Sequence, residues 1–168
     1  DLYLTLPDRY PQFNFIFRPH PVLFIFLSRE DQWGLQKTEE WISKMKSKMN
    51  VVYSEGGDYF KEFDTSDALI GDCGSYLVEY FYTGKPQCYL LKNSSDIENK
   101  FTELGKRCLG QCYLAYSEEE IIKFIDSVVL NGEDYKKDDR LKFAEEQVMV
   151  NYPNASRVAL DNIIESLS

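Results

Sequence analysis

The chain has 168 residues, 19 basic against 28 acidic, for a formal charge of −9. Hydrophobic residues at 43% and aromatics at 15% are enough for a core, so a disordered chain is excluded; nine glycines and six prolines are too few for a collagen-like one. The acidic balance argues against nucleic-acid binding, which needs phosphates neutralised by Lys and Arg, but leaves room for one local anion pocket.

In chain order, Phe13–Phe17 alternates in β fashion and stops at Arg18-Pro19-His20-Pro21, where two prolines end any ladder. The longest apolar run, Val22–Leu27, is far shorter than the ~18 residues of a membrane span. Residues 37–49 carry Trp41, Ile42, Met45 and Met49 at helical spacing, with Lys44, Lys46 and Lys48 facing out. Val51–Tyr53 reads as a strand, followed by a helical turn around Tyr59, Phe60 and Phe63. Ala68–Ile70 is a short buried strand entering Gly71-Asp72-Cys73-Gly74-Ser75, after which Leu77, Val78 and Phe81 give a helix face ending at Gly84. Gln87–Leu91 and Tyr113–Tyr116 are two further strands. Ser117 and Glu120 form a capping box for a helix that buries Ile121, Ile122, Ile125, Val128 and Val129. Glu133–Arg140 reads as a solvated loop and helix start, and Leu160, Ile163, Ile164 and Leu167 line one face of a last helix.

Short strands alternating with helices mean βαβ units. The expected fold is α/β: one three-layer, Rossmann-like domain over residues 1–168, with about five parallel strands near 13–17, 50–53, 67–71, 86–91 and 112–116. Cys73, Cys88, Cys108 and Cys112 lack a CxxC pattern and stand beside a single histidine, so a zinc site has too few ligands. They read as free thiols of a reducing cytoplasm. No targeting segment opens the chain, and its first residue is Asp1 rather than Met, which reads as a piece of something longer.

In open parallel sheets ligands sit beyond the carboxyl ends of the strands. Two such loops stand out. In the first, Arg18 offers a planar fork for phosphate and His20 a proton donor or acceptor near neutral pH; an ordinary proline-rich turn is the alternative. In the second, Asp72-Cys73-Gly74-Ser75 leads a strand into a helix N-terminus, aiming amides and the positive dipole end at the loop. A plain helix cap made by Ser75 or Asp72 is the alternative there. GxGxxG, GxxxxGK[ST] and GxSxG are all absent, which leaves dinucleotide-binding, P-loop and hydrolase readings unsupported.

Phe15–Pro21, Ser66–Tyr80 and Thr83-Gly84-Lys85-Pro86 together resemble the carboxyl-terminal half of the CDP-glycerol glycerophosphotransferases, the teichoic acid primases and polymerases of bacterial envelopes. The family pattern is an R-x-H segment, then S-D-x-L-I-T-D-Y-S-S, a hydrophobic helix with an acidic residue, and G-K-P. Gly71, Cys73, Gly74 and Glu79 depart from it, standing where Thr, Tyr, the first Ser and Asp are usual. The resemblance implies the second, nucleotide-binding domain of a two-domain GT-B transferase. It implies that Asp72 and Ser75, with Cys73, Gly74 and Glu79 around them, hold the CDP-glycerol diphosphate, and that Arg18 and the catalytic His20 face the same phosphates. Also implied are a missing amino-terminal domain with its own histidine, a polymer acceptor at the membrane surface, a cytoplasmic and peripheral location at the inner face of the membrane, and no cofactor. The chain alone is then expected to bind a cytidine nucleotide weakly and to turn over nothing. A nucleotide-sugar GT-B glycosyltransferase half and a non-catalytic nucleotide-binding module are the other readings.

Overall fold

In the computed structural model, which describes residues 2–167, short β-rich runs become strands at each of the five expected places. The chain divides into two compact units, Asp1–Ser66 and Asp67–Ser168.

The first unit runs α1 (Leu2–Arg9), β1 (Phe15–Phe17), α2 (Leu23–Leu27), α3 (Leu35–Lys46), β2 (Val51–Tyr53) and α4 (Phe60–Thr65). β1 and β2 pair in parallel with Ile16 opposite Val52. The stripe on α3 turns Trp41 and Met45 inward, and Trp41 gathers Phe17 at 5.4 Å and Phe24 at 5.6 Å between ring centroids. Aromatic burial of this kind is what holds so small a sheet. Met49 lies beyond the last turn of α3 and is fully exposed, unlike the rest of its expected stripe. Asn50 ties the start of β1 to α1, its side-chain amide donating to the carbonyls of Pro7 and Phe13 at 3.0 Å each. The apolar run Val22–Leu27 becomes the single turn and a half of α2, which buries none of its own residues.

The second unit continues with β3 (Leu69–Gly71), α5 (Gly74–Glu79) extended by a 3₁₀ turn (Tyr80–Thr83), β4 (Gln87–Leu90), α6 (Asp96–Lys100), α7 (Glu103–Gln111) and β5 (Tyr113–Ala115). It ends with α8 (Glu118–Phe124), α9 (Lys137–Phe143) and α10 (Ala155–Ser166). α8 and α9 pass directly into π-helical turns, Ile125–Leu130 and Ala144–Val148. The strands pair in parallel in the order β3-β4-β5, with Ile70 opposite Cys88 and Tyr89 opposite Leu114. Apolar side chains of Leu77, Phe81, Tyr89, Leu91, Cys108 and Leu109 make the core. Gly84 stops the helix in the left-handed region at φ 68°, as the Gly-Lys-Pro punctuation predicts.

The fold is therefore mixed α/β with short parallel strands in two small sheets of two and three strands. One continuous five-stranded sheet in three layers is finer than this pairing carries, because strands of three or four residues have few ladder bonds with which to recruit a further neighbour. Two local expectations change. Ser117 accepts the Glu120 amide at 3.3 Å, but the Glu120 carboxylate reaches one residue further back, to the Tyr116 amide at 2.5 Å. And the charged stretch 133–140 is not only solvated: Arg140 is 1% exposed. Its guanidinium forks onto Asp134 and donates to the Gly84 carbonyl at 3.1 Å, while the Tyr113 hydroxyl donates to Asp134 at 2.9 Å. A buried charge needs that many partners. Among the described residues no helix is long and apolar enough to cross a membrane.

Candidate functional site

The two motifs fall in different units. In the second, β3 delivers Gly71 to the carboxyl end of the sheet, and Asp72-Cys73-Gly74-Ser75 turns directly into α5. Cys73 is the N-cap residue, with extended backbone at φ −81° and ψ 122°, and no side chain caps the helix. The capping alternative for Ser75 and Asp72 is thereby not what the turn adopts. Asp72, Gly74 and Ser75 are exposed and Cys73 is half-buried, with its Sγ 3.4 Å from the Ser75 Oγ. The turn is pinned from below by Tyr89 on β4, whose hydroxyl donates to the Asp72 carbonyl at 2.7 Å. Burial, and then the nearby Asp72 charge, push the Tyr89 hydroxyl up to about 12, so it remains a donor across the physiological range. Glu79 closes α5, half-buried and partnered.

Space at the turn is informative. A Cβ built at Gly71 or at Gly74 meets no atom within 4 Å, and neither residue has a left-handed backbone. The glycines are not demanded by conformation; they leave room. What the loop offers is a shallow, uncapped cluster of backbone and hydroxyl donors at a helix start, suited to an oxyanion.

In the first unit, Arg18 follows β1 and has four of its five N–H donors engaged. Its Nη1 donates to Ser54 Oγ at 2.9 Å and to Glu62 Oε1 at 2.8 Å, and its Nη2 to the carbonyls of Gly56 and Gly57 at 2.8 and 2.9 Å. The guanidinium also lies 5.4 Å from the centroid of the Tyr59 ring. Ser54 donates in turn to Glu62. These contacts draw in the loop after β2, where Gly56 and Gly57 stand at φ 68° and 71° with both carbonyls turned to one cation. Glu62 was outside the expected set, and only its position eight residues beyond Ser54 on the next helix hints at it. His20 is exposed, and its Nδ1 accepts the Val22 amide at 3.3 Å. That bond assigns the neutral ring's proton to Nε2, which stays available to a ligand.

The three remaining cysteines are core thiols. Cys88, Cys108 and Cys112 are buried, and burial raises each, Cys88 to about 12 and Cys108 to about 11. Groups held so far toward the thiol form are poor nucleophiles and metal ligands. A pocket of about 480 Å³ opens at the other end of the α5–3₁₀ run, beside Tyr82 and Gly84.

Comparison with family models, with curated proteins and with solved structures finds no match to this chain.

Proposed function

We propose that the chain is the nucleotide-binding half of a CDP-glycerol glycerophosphotransferase-like enzyme, which transfers glycerol phosphate to an acceptor hydroxyl during synthesis of a teichoic acid-like envelope polymer. The observation that carries the reading is the exposed, uncapped turn Asp72–Ser75, set between a parallel strand and a helix start. The sequence around it, Ser66–Tyr80 with Thr83–Pro86, is where the family resemblance is most specific. In this reading the domain is the Rossmann-like second half of a GT-B transferase, working in the cytoplasm at the inner face of the membrane.

The chemistry follows from the groups. Ser75 and the helix-start amides bind the diphosphate oxygens, and Cys73 and Gly74 border them. The acceptor oxygen attacks the glycerol-bearing phosphorus, the bond from that phosphorus to the bridging oxygen breaks, and CMP leaves with the electron pair. In the family pattern that the sequence resembles, proton transfer and charge balance fall to the R-x-H segment, here Arg18 and His20. Positioning and charge stabilisation supply most of the rate.

One observation favours a second reading, a non-catalytic nucleotide-binding module: four of the five Arg18 N–H donors are already spent on Ser54, Glu62, Gly56 and Gly57. Calorimetry of the chain with CDP-glycerol, CMP and UDP separates the readings. Weak but selective cytidine binding without turnover supports the proposal. A clear UDP preference moves the chain to the nucleotide-sugar glycosyltransferases, and no binding of any nucleotide defeats it.

A further inference from the structure

We infer that the pocket beside Tyr82 and Gly84 binds an organic cation of the alkylammonium class. The inference is independent of the nucleotide reading. The pocket is an open surface groove of about 480 Å³.

Its chemistry is one-sided. Tyr82 and Tyr152 meet with ring centroids 5.3 Å apart and planes at 68°, and the two residues are 45% and 64% exposed. The Tyr82 hydroxyl donates to the Val148 carbonyl at 3.3 Å, which anchors that ring by its polar end. Met149 and Leu141 add soft apolar walls, and the lining's one charge, among the described residues, is the exposed Glu145 carboxylate. Two tyrosine rings, a thioether and a carboxylate, with no Lys, Arg or His in the described lining, disfavour phosphates and carboxylates. They suit a cation whose charge is spread over methyl groups, because it sheds water easily and meets ring faces and apolar walls on its whole surface. The net charge of −9 adds a general attraction for cations.

Two backbone features border the pocket. Gly84 is left-handed, and a Cβ there would come within 2.7 Å of the Leu141 Cδ2 that lines the wall. Glu145 sits in the π-helical turn Ala144–Val148, and Met149 directly follows it. Such turns are rare and recur where side chains must be re-aimed at functional sites.

The test is an NMR titration of the full chain, methyl-labelled at methionine, with choline and with 3,3-dimethyl-1-butanol, its uncharged carbon isostere. The expected result is a saturable shift of the Met149 methyl with choline and at least fivefold weaker binding of the alcohol. Tyr152→Leu and Glu145→Gln are each expected to weaken choline by roughly three- to tenfold, the size of a cation–π or exposed charge contribution. Glycerophosphocholine in place of choline distinguishes the two sources: equal affinity points to a headgroup whose phosphate lies outside the pocket, and weaker binding to a free ammonium compound, either of which supports the class. No saturable shift, equal binding of the isostere, or unchanged affinity in both variants overturns the inference. Should Tyr152→Leu fail to fold, the isostere comparison and the exposed Glu145→Gln decide it.

Discussion

Arg140 and Asp134 form the most deeply buried of the ion pairs between described residues. Arg140 is almost wholly buried, and its fork is answered by one carboxylate and one carbonyl. Replacing it with Met leaves the half-buried Asp134 carboxylate with the Tyr113 hydroxyl but without its cation, so Arg140→Met is expected to cost roughly 2–4 kcal/mol in urea unfolding. Adding Asp134→Leu to that variant should recover part of the loss, because an apolar pair needs no partner. Burial alone would raise the Asp134 carboxyl, but hydrogen bonds from Arg140 and Tyr113 outweigh it and hold it below the ordinary carboxylate range. A lowered folded-state value means that the carboxylate's contribution is complete above its unfolded value of about 4 and is lost as pH falls through the folded one. Acid unfolding should therefore show a stability loss continuing below pH ~4 that Asp134→Asn lacks. His20 is the opposite case. It is exposed and holds one backbone amide, so His20→Ala should leave the unfolding midpoint nearly unchanged. In an enzyme completed by the first domain that the resemblance implies, the same change should lower turnover by roughly two to four orders of magnitude, as loss of an acid–base group does. Near-normal turnover would remove His20 from the chemistry.

At the scale of elements, two glycines make opposite predictions. Gly84 stands at φ 68° with Leu141 against it. Gly84→Ala should cost about 1–3 kcal/mol from backbone strain alone, read as a lowered melting temperature. Gly74 has ordinary backbone and open space. Gly74→Ser, which restores the serine pair of the family pattern, should fold normally and tighten CDP-glycerol by roughly tenfold, the worth of one hydrogen bond to a charged oxygen. Unchanged affinity would mean that the position does not face the nucleotide. All five strands were legible as apolar runs, and so were the stop at Gly84 and the strand–turn–helix at Asp72, because each is a local pattern of side-chain period and turn residue. What was not legible is non-local. Nothing near Arg18 announces that Glu62 and two glycine carbonyls will claim its donors, and nothing in 133–140 says that Arg140 turns inward to Asp134. The π-helical turns of α8 and α9 likewise have no mark in the apolar period around them.

For the molecule as a whole, local alternation of strand and helix specifies parallel pairing but not how many strands join one ladder. Lateral partners come from contacts far apart in sequence, and here they give two small sheets within two units. The candidate groups are divided in the same way, with Arg18 and His20 in the first unit and Asp72, Cys73, Gly74, Ser75 and Glu79 in the second. The proposal for the second unit is that the turn at Asp72–Ser75 seats a nucleotide diphosphate. Amide chemical-shift mapping of the full chain during a CDP-glycerol titration tests it most directly. Saturable shifts are expected that are largest at Cys73, Gly74, Ser75 and Tyr76 and are abolished when CDP-glycerol is replaced by cytidine. Shifts centred elsewhere, or none at millimolar CDP-glycerol, would contradict it.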